Sequence, residues 1–195
     1  MDWANRLTSM RSNSEISIGI IGLGYVGLPT AIGFHDAGFT VWGADVSQKT
    51  VDTIRAGKNP TGDPDVDDLV PKPGTERWHI STSTAEAAQN CDIVLVTVPT
   101  PITDDLKPDL SYIEGAGRDV FESILPGSRT IVVLESTVYP GATEQICVPI
   151  LEEKSGLTYN KDFFCGYSPE RINPGDKEHT IKKITKVTAG SNKKT

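Results

Sequence analysis

Long apolar runs are missing from this chain of 195 residues. None approaches the roughly 18 residues that a membrane-spanning helix requires, so no membrane partner is expected. Cysteine is scarce: Cys91, Cys147 and Cys165 are odd in number and have no CxxC spacing, which excludes a disulfide framework and a zinc site. Each lies in or beside an apolar segment and reads as a buried small hydrophobe, and the expected compartment is the reducing cytoplasm. Positive charge is also short. The formal net charge is −7 at pH 7, and binding to nucleic acid needs clustered Lys and Arg against the phosphates, so no nucleic-acid partner is expected. Lys182, Lys183, Lys186, Lys193 and Lys194 gather near the C-terminus, where a solvated face accounts for them. An anionic ligand stays open, because backbone amides bind phosphate whatever the net charge. His35, His79 and His179 have no ligand spacing, and no metal site is expected. The first fifteen residues, MDWANRLTSMRSNSE, lack an apolar core and a small-residue cleavage site, and read as a loose leader rather than a signal peptide.

What the chain does have is concentrated in residues 16–45. Ile16, Ile18, Ile20 and Ile21 form a β-branched run that stops at Gly22, as a buried parallel strand would. Gly22-Leu23-Gly24-Tyr25-Val26-Gly27 follows, then a helix-length segment to about Ala37 closed by Gly38. A second strand over 40–44 ends at Asp45. In a dinucleotide-binding unit each part has a task. Gly22 allows the turn off the strand, Gly24 lets a pyrophosphate approach the backbone, and Gly27 lets the helix pack close to the sheet. The first helical amides face the anion. Asp45 can accept hydrogen bonds from the adenosine ribose and would repel a 2′-phosphate, which favours NAD over NADP. The bland alternative is a glycine-rich turn in an unrelated α/β domain.

The rest of the chain repeats the alternation of strand and helix. Ser47 caps a helix to about Ala56, stopped by Gly57. Residues 58–76 form an exposed connection, with one short turn at 66–70. A short strand over 78–81 precedes a helix opened by the Ser83/Glu86 capping box. Residues 92–98 (DIVLVTV) read as a buried strand that runs into the stiff Pro99-Thr100-Pro101 loop. Ser111 and Glu114 make a second capping box, and the helix they open runs to about 124, where Pro126-Gly127 breaks it. Residues 130–134 (TIVVL) are a third buried strand. Pro140-Gly141 opens a helix in which Pro149 should cost one hydrogen bond and introduce a bend. Strands over 163–167 and 186–189 complete the set. This pattern predicts an α/β domain of Rossmann type, a doubly wound and mostly parallel sheet with helices on both faces. Ligands in such sheets bind beyond the carboxyl ends of the strands. The glycine loop, Asp45, Pro99, Thr100, Thr137 and Glu170 all fall at predicted strand ends.

Four segments together resemble the UDP-glucose/GDP-mannose (nucleotide-sugar) 6-dehydrogenases: GLGYVGLPTA at 22–31, VPTP at 98–101, ESTVYPG at 135–141 and YSPERINPGD at 167–176, with KITKVTAG after it. YSPER with PTP is most similar to the branch acting on UDP-N-acetylhexosamines. The resemblance implies a four-electron oxidation of a sugar C6 hydroxyl to a carboxylate with two NAD, through a thioester on a cysteine. It places Thr137 near the nicotinamide and the catalytic water, and Glu170 in acid/base work on the thioester. Arg171 and Ile172 would border the nucleotide-sugar substrate. Gly22, Gly24, Tyr25, Val26, Gly27, Asp45, Pro99 and Thr100 would form the cofactor site.

The departures from the family pattern also matter. The family's nucleophilic cysteine lies in a glycine-glycine-x-cysteine segment beyond a long central helix, and this chain has no adjacent glycine pair. The expected layout is a leader at 1–15, an NAD-binding domain at 16–190 and a terminal stretch at 191–195. The family's central and sugar-nucleotide-binding parts are absent. On this reading the isolated chain is inactive, and a homodimer is expected of the full-length enzyme. Two alternatives stay open: a stand-alone NAD-binding sensor or docking module, and another Rossmann dehydrogenase of the 3-hydroxyacid type.

Overall fold

A computed structural model of the chain describes residues 12–124, 130–136, 138, 141–169 and 187–191. Its seven-stranded sheet has the order β3-β2-β1-β4-β5-β6-β7. The strands are β1 (Ser17–Ile21), β2 (Thr40–Ala44), β3 (Trp78–Ser81), β4 (Ile93–Val96), β5 (Ile131–Leu134), β6 (Phe164–Tyr167) and β7 (Ala189–Gly190). All neighbours run parallel except β6 and β7. The helices are α1 (Gly27–Asp36), α2 (Gln48–Arg55), α3 (Thr84–Gln89), α4 (Ser111–Ser123) and α5 (Val148–Ser155). The chain steps outward from β1 to β3, then returns across β1 to build β4 and β5, so the direction of winding reverses between β1 and β4. A crevice opens at the carboxyl ends of strands where winding reverses in this way.

Strand alternation explains the two helix layers. On β1, Ile18 and Ile20 join one buried cluster with Leu28, Ile32, Val51 and Ile54, the inner faces of α1 and α2. Ile21 points the other way, into a cluster with Ala87, Val120, Phe121 and Leu151 from α3, α4 and α5. Side chains along a strand alternate between faces, so an unbroken apolar run buries both. At the outer margin of β3, Arg55 Nε donates to the Ile80 carbonyl at 2.7 Å.

The helix signals hold at most positions. Ser47 Oγ accepts from Thr50 N at 3.3 Å and Ser83 Oγ from Glu86 N at 3.1 Å. Gly38 and Gly57 follow their helices at φ +97° and +71°, a conformation that costs glycine nothing. One expectation needs correction. Ser111 does not cap α4: the N-cap is Leu110, which has no side-chain cap, and Asp109 Oδ1 accepts from Ser111 N at 3.0 Å. Glu114 N, the amide that a Ser111 cap would take, donates to Leu110 O at 2.9 Å instead, and the aspartate two residues upstream holds the amide of Ser111 itself. Pro149 does stand inside the helix that Gly141 opens: helical backbone runs without a break from Ala142 to Ser155, with a π-helical turn at Thr143–Cys147 directly before α5, an adjustment by which a helix takes in a residue that cannot donate. The short turn expected at 66–70 is present, with Leu69 N donating to Val66 O at 3.1 Å, and a 3-10 turn at Pro64–Val66 leads into it. The break expected at Pro126-Gly127 lies outside the described residues.

The candidate dinucleotide cleft

One cleft of about 1080 Å³ lies over the carboxyl edge of the sheet. Its floor is the glycine loop between β1 and α1. Gly22 turns the chain at φ +94°, and its amide donates to Ala44 O at 2.8 Å. Gly24 lines the cleft, and a Cβ built there would meet nothing within 4 Å. That open side leaves the backbone accessible to a ligand. Gly27 lies beneath the loop: a Cβ on it would stand 1.8 Å from Gly22 O and 2.6 Å from Thr97 Oγ1. Only glycine fits there, and helix and loop close on each other as a result. Val26, the N-cap of α1, provides no side-chain acceptor; Leu28 N already donates to Gly24 O at 3.1 Å and Thr30 N to Val26 O at 3.2 Å, and Pro29 has no N–H, so the amides that can meet an anion are those of the glycine loop before Leu28.

Asp45 closes the next side. Its Oδ2 accepts from Leu23 N and its Oδ1 from Ser47 N, each at 2.9 Å. The carboxylate thus ties the glycine loop to the start of α2. Two carboxylate oxygens carry about four lone-pair sites, so two of these sites stay open for ribose hydroxyls.

On the far side, Thr97 Oγ1 sits 3.0 Å from Ile21 O and 2.7 Å from Gly22 O. This buried hydroxyl braces the loop from β4. Ser136 Oγ donates to Val98 O at 2.7 Å and links the ends of β4 and β5. Glu135, which is 2 % exposed, lines the cleft beside it.

The structure therefore brings Gly22, Gly24, Tyr25, Val26, Asp45, Pro99 and Thr100 to one cleft, with Gly27 packed underneath. Thr137, Glu170, Arg171 and Ile172 lie outside the described residues. Sequence reading missed Thr97, Glu135, Ser136 and the face of α4 that forms the opposite wall. Thr97 did leave a trace, as the one hydroxyl in the apolar run DIVLVTV.

None of the three thiols lies in this cleft. Burial, with Asp92 adding to it, pushes the Cys91 thiol up, and burial does the same to Cys165, helped by Cys147 and Glu144. Cys147 is pushed up to about 11, by burial first and Glu144 second. All three stay protonated near neutrality, unlike a nucleophilic cysteine, which needs a depressed value. Among the described residues, no cluster of His, Cys, Asp or Glu could hold a metal, and no helix is long and apolar enough to cross a membrane.

A glycine loop at the point where winding reverses, with an acid at the tip of β2, defines a Rossmann-type dinucleotide-binding domain. The chain belongs to the UDP-glucose/GDP-mannose dehydrogenase family, whose NAD binding domain matches residues 16–195. It is similar to the UDP-N-acetyl-D-glucosamine 6-dehydrogenase of Pseudomonas aeruginosa, at 46 % identity over 178 residues, 91 % of this chain and 40 % of the relative. The UDP-N-acetyl-D-mannosamine dehydrogenase of Escherichia coli K12 is 35 % identical over 91 % of this chain and 42 % of its own length. Among solved structures, a ternary complex of GDP-mannose dehydrogenase from P. aeruginosa superposes with a TM-score of 0.79 at 34 % identity, covering 85 % of this chain and 38 % of that one. The chain thus spans about 40 % of the length of the curated relative from P. aeruginosa.

Proposed function

We propose that the chain provides the NAD-binding part of a nucleotide-sugar 6-dehydrogenase of the UDP-N-acetylhexosamine branch, working in the cytoplasm. The reaction would take the C6 hydroxyl of a UDP-sugar to the uronate with loss of two hydrides, one to each of two NAD. Residues 16–190 form the binding domain, residues 1–15 a leader and 191–195 a terminal stretch. The thioester cysteine and the sugar pocket belong to a further part of the enzyme, which acts as a homodimer.

The chain's own residues have distinct tasks. Amides from Gly24 to Gly27 hold the pyrophosphate, and Asp45 takes the ribose hydroxyls. Tyr25, Val26, Pro99 and Thr100 shape the rim. By their motifs, Thr137 stands at the nicotinamide and the water, Glu170 handles protons in thioester hydrolysis, and Arg171 and Ile172 border the sugar nucleotide. One observation carries the reading: the open side of Gly24 and the Asp45 carboxylate face the same cleft.

Calorimetric titration with NAD and NADP tests it. NAD binds in the micromolar-to-millimolar range and NADP more weakly, while Asp45→Ala loses roughly tenfold or more in NAD affinity and most of the discrimination, as expected for a charge-assisted contact. Absence of heat with either coenzyme on folded protein would refute the proposal.

A further inference from the structure

A second concavity, of about 320 Å³, wraps the outer margin of β3 and shares no lining residue with the dinucleotide cleft. Its volume is that of a small-ligand site. Two features distinguish its lining from an ordinary solvated surface. The first is a flat platform. Trp42 and His79, neighbours across β2 and β3, stack with ring centroids 4.1 Å apart and planes 19° from parallel. The indole covers one face of the imidazole, and His79 is exposed on the other.

The second feature is a pair of cations held at one junction. The bond from Arg55 Nε to Ile80 O fixes the guanidinium and leaves its terminal NH2 groups as donors. Lys72 belongs to the Pro71-Lys72-Pro73-Gly74 rim. Its carbonyl accepts from Thr75 N at 3.1 Å and from Thr75 Oγ1 at 2.7 Å, which holds the rim in a turn. That turn rests on the end of α2: a Cβ at Gly57 would stand 3.2 Å from Pro73 Cδ and 3.4 Å from Lys72 Cα. Neither cation pairs with a carboxylate among the described residues, and Glu86 is the one carboxylate in the lining. The concavity is thus locally positive in a chain whose net charge is −7.

Phosphate oxygens take charge-assisted bonds from a guanidinium and an ammonium, and a planar base stacks on an aromatic face whatever its identity. We propose that this concavity binds a nucleoside phosphate, with the phosphate on Arg55 and Lys72 and the base on the open face of His79. The site is separate from the coenzyme cleft and does not depend on the NAD reading.

The test is calorimetry on the whole chain with uridine monophosphate, which lacks the adenosine half of NAD, and with inorganic phosphate. Wild type is expected to bind UMP in the micromolar-to-millimolar range, equally well with and without saturating NAD. Phosphate should bind about tenfold more weakly, for want of the stacked base. Arg55→Gln and Lys72→Gln should each weaken both probes about tenfold. His79→Ala should weaken UMP about tenfold and leave phosphate unchanged. All three side chains are exposed, so the variants retain the fold, which an unchanged Tm verifies. Absence of heat with UMP, displacement of UMP by NAD, phosphate bound as tightly as UMP, or variants that bind UMP like wild type overturns the assignment. The coenzyme reading survives each of these results and falls only if NAD and NADP give no heat.

Discussion

Thr97 shows how much one hydroxyl can fix. Its Oγ1 lies within hydrogen-bond distance of two consecutive carbonyls, Ile21 and Gly22, at the point where the phosphate loop leaves β1. Thr97→Val keeps the shape and deletes the donor. It is expected to lower unfolding free energy by about 1–2 kcal/mol, the cost of leaving a buried acceptor unsatisfied, read by urea denaturation, with weaker NAD binding as the loop loosens. The glycine positions were legible in the sequence because each is set by local geometry, a turn or a close approach. Thr97 was hidden by its surroundings: a threonine near the end of a β-branched strand satisfies strand preference, and its tie to β1 spans 76 residues.

At the scale of single elements, strand and helix positions followed from apolar alternation and glycine stops, while one helix cap did not. In α4 no side chain caps the N-terminus, and Asp109 holds the amide of Ser111. Before α5 a π turn intervenes, a device that periodicity cannot reveal because it adds a residue without changing composition. Pro149 follows that turn inside a continuous helix. In a helix interior a proline costs roughly 3 kcal/mol against alanine, and the π turn relieves part of this by shifting the bonds around it. Pro149→Ala is therefore expected to raise stability, by up to roughly 3 kcal/mol, measured by thermal or urea unfolding. An unchanged midpoint would mean that the π turn already absorbs the whole cost.

For the whole molecule, the doubly wound plan was readable because five parallel pairings need buried strands alternating with crossovers, and such strands are conspicuous in sequence. The depth of burial carries its own pH signature. Folding raises the three thiols, Cys147 to about 11 from an ordinary 9.0. The unfolded chain therefore gives up thiol protons at a lower pH than the native one. Stability from these groups is complete below about pH 9 and falls as the pH climbs toward 11 and beyond, by up to about 1.4 kcal/mol per pH unit for each thiol. Urea midpoints measured from pH 7 to 11 should hold to about pH 9 and decline above it, and Cys147→Ala should soften the decline. A flat profile would place the thiols in water.

The Arg55 contact at the margin of β3 has a consequence for how copies of this domain meet. An uncovered outer strand is a template on which a stranger's backbone can be laid down, carbonyl to amide. Here a guanidinium already occupies the Ile80 carbonyl, and its charge would confront any arriving strand. Growth of the sheet on that flank is therefore discouraged.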